Sequence, residues 1–294
     1  MTFNSRALYN VPLAHGGSLP LGERPLLMAI LNVTPDSFAE RAPRLDARAA
    51  AGLAVQMASA GADLIDIGGE STRPGAQPVG AAEELARVLP LLDALRGRLP
   101  VPISIDTYKA DVAREAIAAG ASMVNDISGL RRDPALARVI AETGAAIVLM
   151  HTRGTSQSMY AEAVYGDVVG DVVRELRGSI QCALDAGVPI ERVIVDPGVG
   201  FAKRPTDSYG VLARLPEFAS ALDRPVLVGP SRKSFMREAL GGRPAIERDW
   251  GTAAAVTAAV LAGAHILRVH AVAEMAQVIT VAEEIRRHLK MADG

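Results

Sequence analysis

The chain has 294 residues, 49% apolar and only 4% aromatic, with 31 Lys and Arg against 33 Asp and Glu for a net charge of −2. Such a composition excludes a disordered chain and provides for one large α/β barrel or two average domains, with a core of Ala, Val, Leu and Ile. The balanced charge supplies no field to hold a nucleic-acid backbone, so any anion must be bound locally.

Cys182 is the single cysteine, which rules out an intramolecular disulfide and a cysteine-based zinc site. Within its helical stretch it reads as a small buried hydrophobe. Residues 1–25 hold no continuous apolar segment, and the longest apolar block, 252–264, falls short of the ~20 residues of a membrane span. The expectation is a cytoplasmic protein with no signal peptide and neither membrane nor nucleic acid as a partner.

In chain order, an apolar run at 28–32 ends in Asn32, Thr34, Pro35 and Asp36, the pattern of a buried strand that delivers polar groups at its C-terminal end. A helix follows over 46–60, stopped by Gly61, and a strand at 63–67 opens onto a glycine-rich loop and a helix over 81–96. The cycle repeats as strand 102–105 with helix 109–119, strand 122–124 with helix 134–142, and strand 146–150 with helix 167–186. Strand 193–195 then leads to helix 206–219, strand 225–228 to a helix split into 233–240 and 251–262, and strand 265–269 to helix 272–289. Eight alternating units imply a parallel sheet closed as a (β/α)8 TIM barrel, an α/β fold of a single domain. No Gly-x-Gly-x-x-Gly follows the first strand, which disfavours a doubly wound open sheet. The barrel domain is assigned to 25–294, after an N-terminal extension of 1–24.

A barrel builds its active site from the loops at the C-terminal ends of its strands. The eight strands end in Asn32; Asp66 and the 68–75 loop; Asp106; Asn125 and Asp126; His151 and Arg153; Asp196; Ser231, Arg232 and Lys233; and Arg268 with His270. Any one Asp or Asn here could cap a helix or satisfy a loop. Eight polar strand ends together suit a small, polar, planar ligand that carries an anionic group.

Asp196 sits in Val195-Asp196-Pro197-Gly198-Val199-Gly200-Phe201, where glycines permit close backbone approach beside an aromatic ring. A buried carboxylate needs donors, and an amidine-like N–H pair on a heterocycle supplies two parallel ones. The alternative is a cap of the following helix. No His-Glu-x-x-His or compact His/Asp cluster is present, but a hard divalent cation held mainly by ligand phosphates needs only one or two protein oxygens, and Asn32 could provide one.

From about residue 26 onward these strand ends resemble the dihydropteroate synthase family of pterin-binding barrels, the sulfonamide targets of the folate pathway. The resemblance rests on Leu31-Asn32-Val33-Thr34-Pro35-Asp36-Ser37-Phe38, on Asp66-Ile67-Gly68-Gly69-Glu70-Ser71-Thr72-Arg73-Pro74-Gly75 and on Ser104-Ile105-Asp106-Thr107. It continues through Asn125-Asp126-Ile127-Ser128-Gly129, Met150-His151, Asp196-Pro197-Gly198, Ser231-Arg232-Lys233-Ser234 and Arg268-Val269-His270.

The resemblance implies condensation of 6-hydroxymethyl-7,8-dihydropterin diphosphate with p-aminobenzoate, releasing diphosphate by an SN1-like path. On its terms Asp106, Asn125, Asp196 and Lys233 hold the pterin, with Thr72 also touching the pterin diphosphate. Asn32, Arg268 and His270 take the diphosphate and Mg²⁺, with Asn32 the metal ligand. Thr72, Arg73, Pro74, Phe201, Ser231 and Lys233 form the p-aminobenzoate site. Asp106, Asp196, Lys233, Arg268 and Asn32 make up the catalytic set, Asp36 is a candidate contact on the first loop, and a homodimer is implied.

Three departures accompany the matches. The family follows Phe38 with Ser-Asp-Gly-Gly, where this chain has Ala39-Glu40-Arg41-Ala42-Pro43; Ala271 replaces the Asp that follows Arg268-Val269-His270; and Thr152 replaces a common Met. Two rivals follow: a methyltetrahydrofolate-dependent methyltransferase of the same barrel family, which has no need of the Ser231-Arg232-Lys233-Ser234 or Ser71-Thr72-Arg73-Pro74 segments, and a non-catalytic pterin-binding protein.

Overall fold

The computed structural model describes residues 6–34, 47–71 and 75–291. Two short strands, β1 (Tyr9–Pro12) and β2 (Ser18–Leu21), pair antiparallel as a hairpin. Eight parallel strands follow: β3 (Leu26–Asn32), β4 (Leu64–Gly68), β5 (Ile103–Asp106), β6 (Met123–Asp126), β7 (Ala146–Met150), β8 (Val193–Asp196), β9 (Leu227–Val228) and β10 (Ile266–Val269). They lie in the order β8-β7-β6-β5-β4-β3-β10-β9, and a bridge between Val195 and Val226 closes the ring. The barrel expected from the sequence is present.

Among the described residues the helices are α1 (Ala47–Ser59), α2 (Ala81–Leu95), α3 (Ala110–Ala118), α4 (Ala135–Thr143), α5 (Val168–Asp185), α6 (Pro205–Ala213), α7 (Leu215–Leu222), α8 (Asp249–Leu261) and α9 (Val272–Met291). The single helix expected over 206–219 is broken in two at Arg214, with Pro216 in the first turn of α7. Pro216 has no amide proton to continue the ladder of α6. The expected helix at 233–240 is only a 3-10 turn, Ser234–Met236.

Strand residues alternate between the barrel interior and the helical layer. Leu27, Ala29, Ile65, Ile67, Ile105, Val124, Ile147 and Val195 face outward and pack with the helices in one large cluster. Leu26, Met28, Leu64, Met123, Val148, Ile194, Leu227 and Ile266 face inward, and Val11, Leu19 and Leu21 of the hairpin complete that second cluster from the N-terminal end. The N-terminal extension thus plugs the base of the barrel. Arg6 ties it to α9 through Glu283 at 2.9 Å, both groups buried, and His265 accepts from the Val226 amide at 3.1 Å while facing the Ala7 carbonyl at 3.1 Å.

Cys182 does not behave as a buried hydrophobe. It is exposed, because the buried face of α5 runs through Val172, Leu176, Ser179, Ile180 and Ala183 and leaves 181 and 182 outside.

Candidate active site

The two-residue period that builds the core also sorts the polar strand ends. Asp66 shares the inward face of β4 with Leu64, Asn125 that of β6 with Met123, Asp196 that of β8 with Ile194, and Arg268 that of β10 with Ile266. Asp106 is level with Gly68 on one side and Asn125 on the other. Asp126, one residue past Asn125, turns out of the barrel. Its carboxylate accepts from the Ser128 amide at 2.7 Å and the Leu130 amide at 2.6 Å, so it braces its own loop instead of joining the cavity. For this residue the alternative of satisfying a loop describes the structure.

Arg268 lies across the mouth. Its Nε donates to Asp66 Oδ2 and its Nη2 to Asp106 Oδ2, both at 2.6 Å, and Asn125 Nδ2 donates to the same Asp66 oxygen at 3.0 Å. Asp66 Oδ1 and Asp106 Oδ1 are buried without a partner among the described residues. Burial pushes the Asp106 carboxyl up to about 7; Arg268 opposes that shift and Asp66 adds to it. Asp66 ends a predicted strand, yet the sequence pattern did not separate it from the other rim residues. Its role follows from strand parity.

Asp196 receives the Gly198 amide at 2.7 Å, and its backbone carbonyl accepts from the His151 amide at 2.9 Å. Burial raises this carboxyl too, against the pull of Lys233, Lys203 and Arg268. Lys233 donates to the Val199 carbonyl at 2.5 Å and holds its ammonium 4.2 Å above the centre of the Phe201 ring. Burial brings Lys233 down to about 8, with Asp196 resisting. Gly200 makes this approach possible, since a Cβ there would come 2.8 Å from Lys233 Cδ.

Ser231 and His270 form a pair of their own, Oγ to Nδ1 at 2.9 Å, and the His270 amide donates to the same Ser231 oxygen. Arg232, at φ 58°, turns away from the cavity into a two-pronged ion pair with Asp249 at 2.7 Å. Asn32 ends β3 beside Gly68, where a Cβ would lie 2.9 Å from its Oδ1. Thr72, Arg73, Pro74 and Asp36 lie outside the described residues. Among the predicted set the structure therefore gathers Asp106, Asn125, Asp196, Lys233 and Arg268 at one mouth, keeps Phe201 against Lys233, and sets Ser231 with His270 beside it.

A lobe of this mouth, about 370 Å³ including open solvent, is lined by Glu70, Ser71, Ser128, Arg132, Thr155 and Phe201 among others. Glu70 anchors its loop through Tyr108 Oη at 2.9 Å and Lys109 Nζ at 2.5 Å, while Lys109 also binds buried Glu84. Lys203, fully buried beneath the Gly198–Phe201 turn, had no signal in the sequence, where a loop lysine reads as solvated.

The family described as pterin binding enzyme matches this chain over residues 28–270, the span that contains every one of these strand ends. The chain belongs to the pterin-binding enzyme family. A dihydropteroate synthase of Synechocystis sp. is 46% identical over 277 residues, covering 94% of this chain and 96% of that protein. A Burkholderia cenocepacia dihydropteroate synthase solved in complex with 7,8-dihydropteroate matches with 43% identity and a TM-score of 0.86, covering 97% of this chain and 99% of that one. A Xanthomonas albilineans dihydropteroate synthase solved with 4-aminobenzoic acid gives 41% identity and a TM-score of 0.86 over 94% and 98% of the two chains.

Proposed function

We infer that this pterin-binding barrel is a dihydropteroate synthase, a transferase of folate biosynthesis, that joins 6-hydroxymethyl-7,8-dihydropterin diphosphate to p-aminobenzoate with release of diphosphate. The observation that carries this reading is the convergence of Asp106, Asn125, Asp196, Lys233 and Arg268 on the inner face of one barrel mouth.

Asp196 presents a buried carboxylate, oriented by the Gly198 amide, to the amidine-like edge of the pterin; two charge-assisted bonds there replace the water it has lost. Asn125, held by Asp66, and Asp106 with its unpartnered Oδ1 offer the next polar contacts around the ring. Among the described residues Arg268 Nη1 makes no hydrogen bond, so the guanidinium reaches a diphosphate without abandoning both carboxylates. As the C–O bond to diphosphate breaks, positive charge grows on the pterin methylene and negative charge on the leaving group. Arg268 and His270 face the leaving charge, and Asp66 and Asp106 tolerate the cation. Phe201 and Ser231 shape the side from which the arylamine nitrogen attacks, together with Thr72, Arg73 and Pro74. No covalent enzyme intermediate is required.

Asn32 would hold Mg²⁺. Among the described residues no group of three or more His, Cys, Asp or Glu could hold a metal ion, so one neutral oxygen at the rim fits a hard cation whose other ligands come from diphosphate and water. When bound, the ion supplies charge neutralisation of the leaving group. We also propose a cytoplasmic homodimer: no helix among the described residues is long and apolar enough to cross a membrane, and α9 exposes Val281 and Ile285.

The test is diphosphate release with both substrates present. Release that depends on p-aminobenzoate is the expected result. Pterin binding without such release would leave a non-catalytic binding protein, and methyl transfer from methyltetrahydrofolate would identify the methyltransferase rival.

A further inference from the structure

We propose that Lys203 is a positioning residue for the arylamine side of the site, acting through the Phe201 backbone without touching substrate itself; this rests on the functional reading above. Lys203 is 1% exposed, and the reaction as described gives its ammonium nothing to do. A buried ammonium is costly unless each proton finds an acceptor. Its Nζ lies 2.9 Å from His151 Nδ1 and 3.2 Å from the Phe201 carbonyl oxygen.

The first of these contacts fixes the state of His151. With Lys203 donating to Nδ1, the imidazole is neutral and its Nε2–H donates to Glu175 Oε2 at 3.0 Å. Burial, and then the neighbouring Lys203, hold His151 down at about 3, which keeps the ring neutral, and burial likewise brings Lys203 down to about 7. Glu175 is in turn gripped by Arg153 and faced by Arg131. A continuous line of polar contacts thus runs from the outer helix α5 to the backbone of the substrate loop.

The second contact matters for chemistry. Phe201 ends the turn that begins at Asp196, and the same turn presents the Val199 carbonyl to Lys233 and the Phe201 ring beneath the Lys233 ammonium. Gly198 is pressed so closely on this network that a Cβ would overlap the His151 carbonyl oxygen and lie 3.4 Å from Lys203 Nζ. The position of the ring therefore depends on a lysine that sits behind it, while Lys233 keeps its own hold on the Val199 carbonyl. Asp196 is fixed by the Gly198 and His151 amides and feels Lys203 only as a charge through space, so the pterin side depends on Lys203 less than the arylamine side does.

The experiment is steady-state diphosphate release by the full chain, varying each substrate in turn, for wild type, Lys203→Met, His151→Phe and the double variant. Loss of a donor to a buried carbonyl should raise KM for p-aminobenzoate about tenfold in Lys203→Met, with kcat and KM for the pterin ester within about twofold of wild type. His151→Phe should move the same KM in the same direction, and the double variant should be no worse than Lys203→Met, because the two residues act in series. An unchanged KM for p-aminobenzoate, an equal rise in both KM values, or additive effects would overturn the proposal. If Lys203→Met does not fold, the KM split in His151→Phe decides alone. A wild type without p-aminobenzoate-dependent release removes the functional reading and this inference together, whereas an active wild type with no KM split removes the inference only.

Discussion

The two mouths of this barrel are made by the same eight strands and share almost no chemistry. At the N-terminal mouth Val11, Leu19 and Leu21 of the hairpin cap Leu26, Met28, Leu64, Met123 and Ile266, and buried Arg6 is paired with Glu283. At the C-terminal mouth Asp66, Asp106, Asp196, Lys203, Lys233 and Arg268 crowd into a partly desolvated space, with two carboxylate oxygens left unpartnered. Apolar packing around a paired ion holds a fold together, whereas several charges crowded at one open mouth are held in waiting for a ligand. Stability should answer to the base and activity to the rim.

The largest expected effect lies at the rim. Asp196→Asn faces pterin donors with a donor and should weaken pterin binding about a thousandfold, the ~4 kcal/mol of two charge-assisted bonds, without lowering Tm. Unchanged affinity by calorimetry would break the assignment. At the base, Arg6→Ala leaves Glu283 buried with only Arg286, 3.8 Å away, and should cost about 3 kcal/mol in denaturant melts while leaving both KM values alone.

A matched pair of glycines sharpens the contrast. Gly22 (φ 115°) presses on the Ala7 carbonyl and Gly198 (φ 71°) on that of His151. Gly22→Ala and Gly198→Ala should each lose about 2 kcal/mol of stability from the left-handed backbone and the overlap. Only Gly198→Ala should also raise KM for p-aminobenzoate.

The smallest effect is on pH dependence, where the two mouths have opposite signs. His265 at the base is held down to about 4 by burial, so the unfolded chain takes up its proton first. The stability it contributes is complete above pH 6.5 and is lost as pH falls toward 4. The advantage of wild type over His265→Gln should shrink by about 1 kcal/mol from pH 6.5 to 5.5. Asp106, raised to about 7 by burial, works the other way: its contribution is complete below the ordinary carboxylate range and is lost as pH rises through 7. The advantage of wild type over Asp106→Asn should therefore fall as pH rises, and equal slopes for the two variants would contradict the contrast.

The rim is the part most legible in the sequence. Apolar runs that break into Asp, Asn or Arg mark both the strand and its C-terminal end, and alternation then says which of two neighbours points inward: Asn125 in, Asp126 out. The base is poorly legible because Tyr9–Pro12 and Ser18–Leu21 are short, contain prolines and have no helical unit beside them. Their strand character comes from each other and from the barrel they cover. Lys203 and Cys182 fail for complementary reasons. Local sequence does not say that a loop lysine meets His151, 52 positions away, nor which side of α5 faces the barrel at its last turn.

β9 has two residues, and its neighbour Pro225 has no amide proton, so β8 and β9 meet through the Val195–Val226 bridge and the Val195 amide on the Pro225 carbonyl at 3.0 Å. The hoop has a clasp. Asp196 ends β8 just past it, and Lys233 stands on the loop that leaves β9, so the acid and the ammonium of the proposed site belong to opposite shores of the same gap. The hydrogen-bonded hoop is thinnest between the two residues whose spacing the proposed reaction depends on.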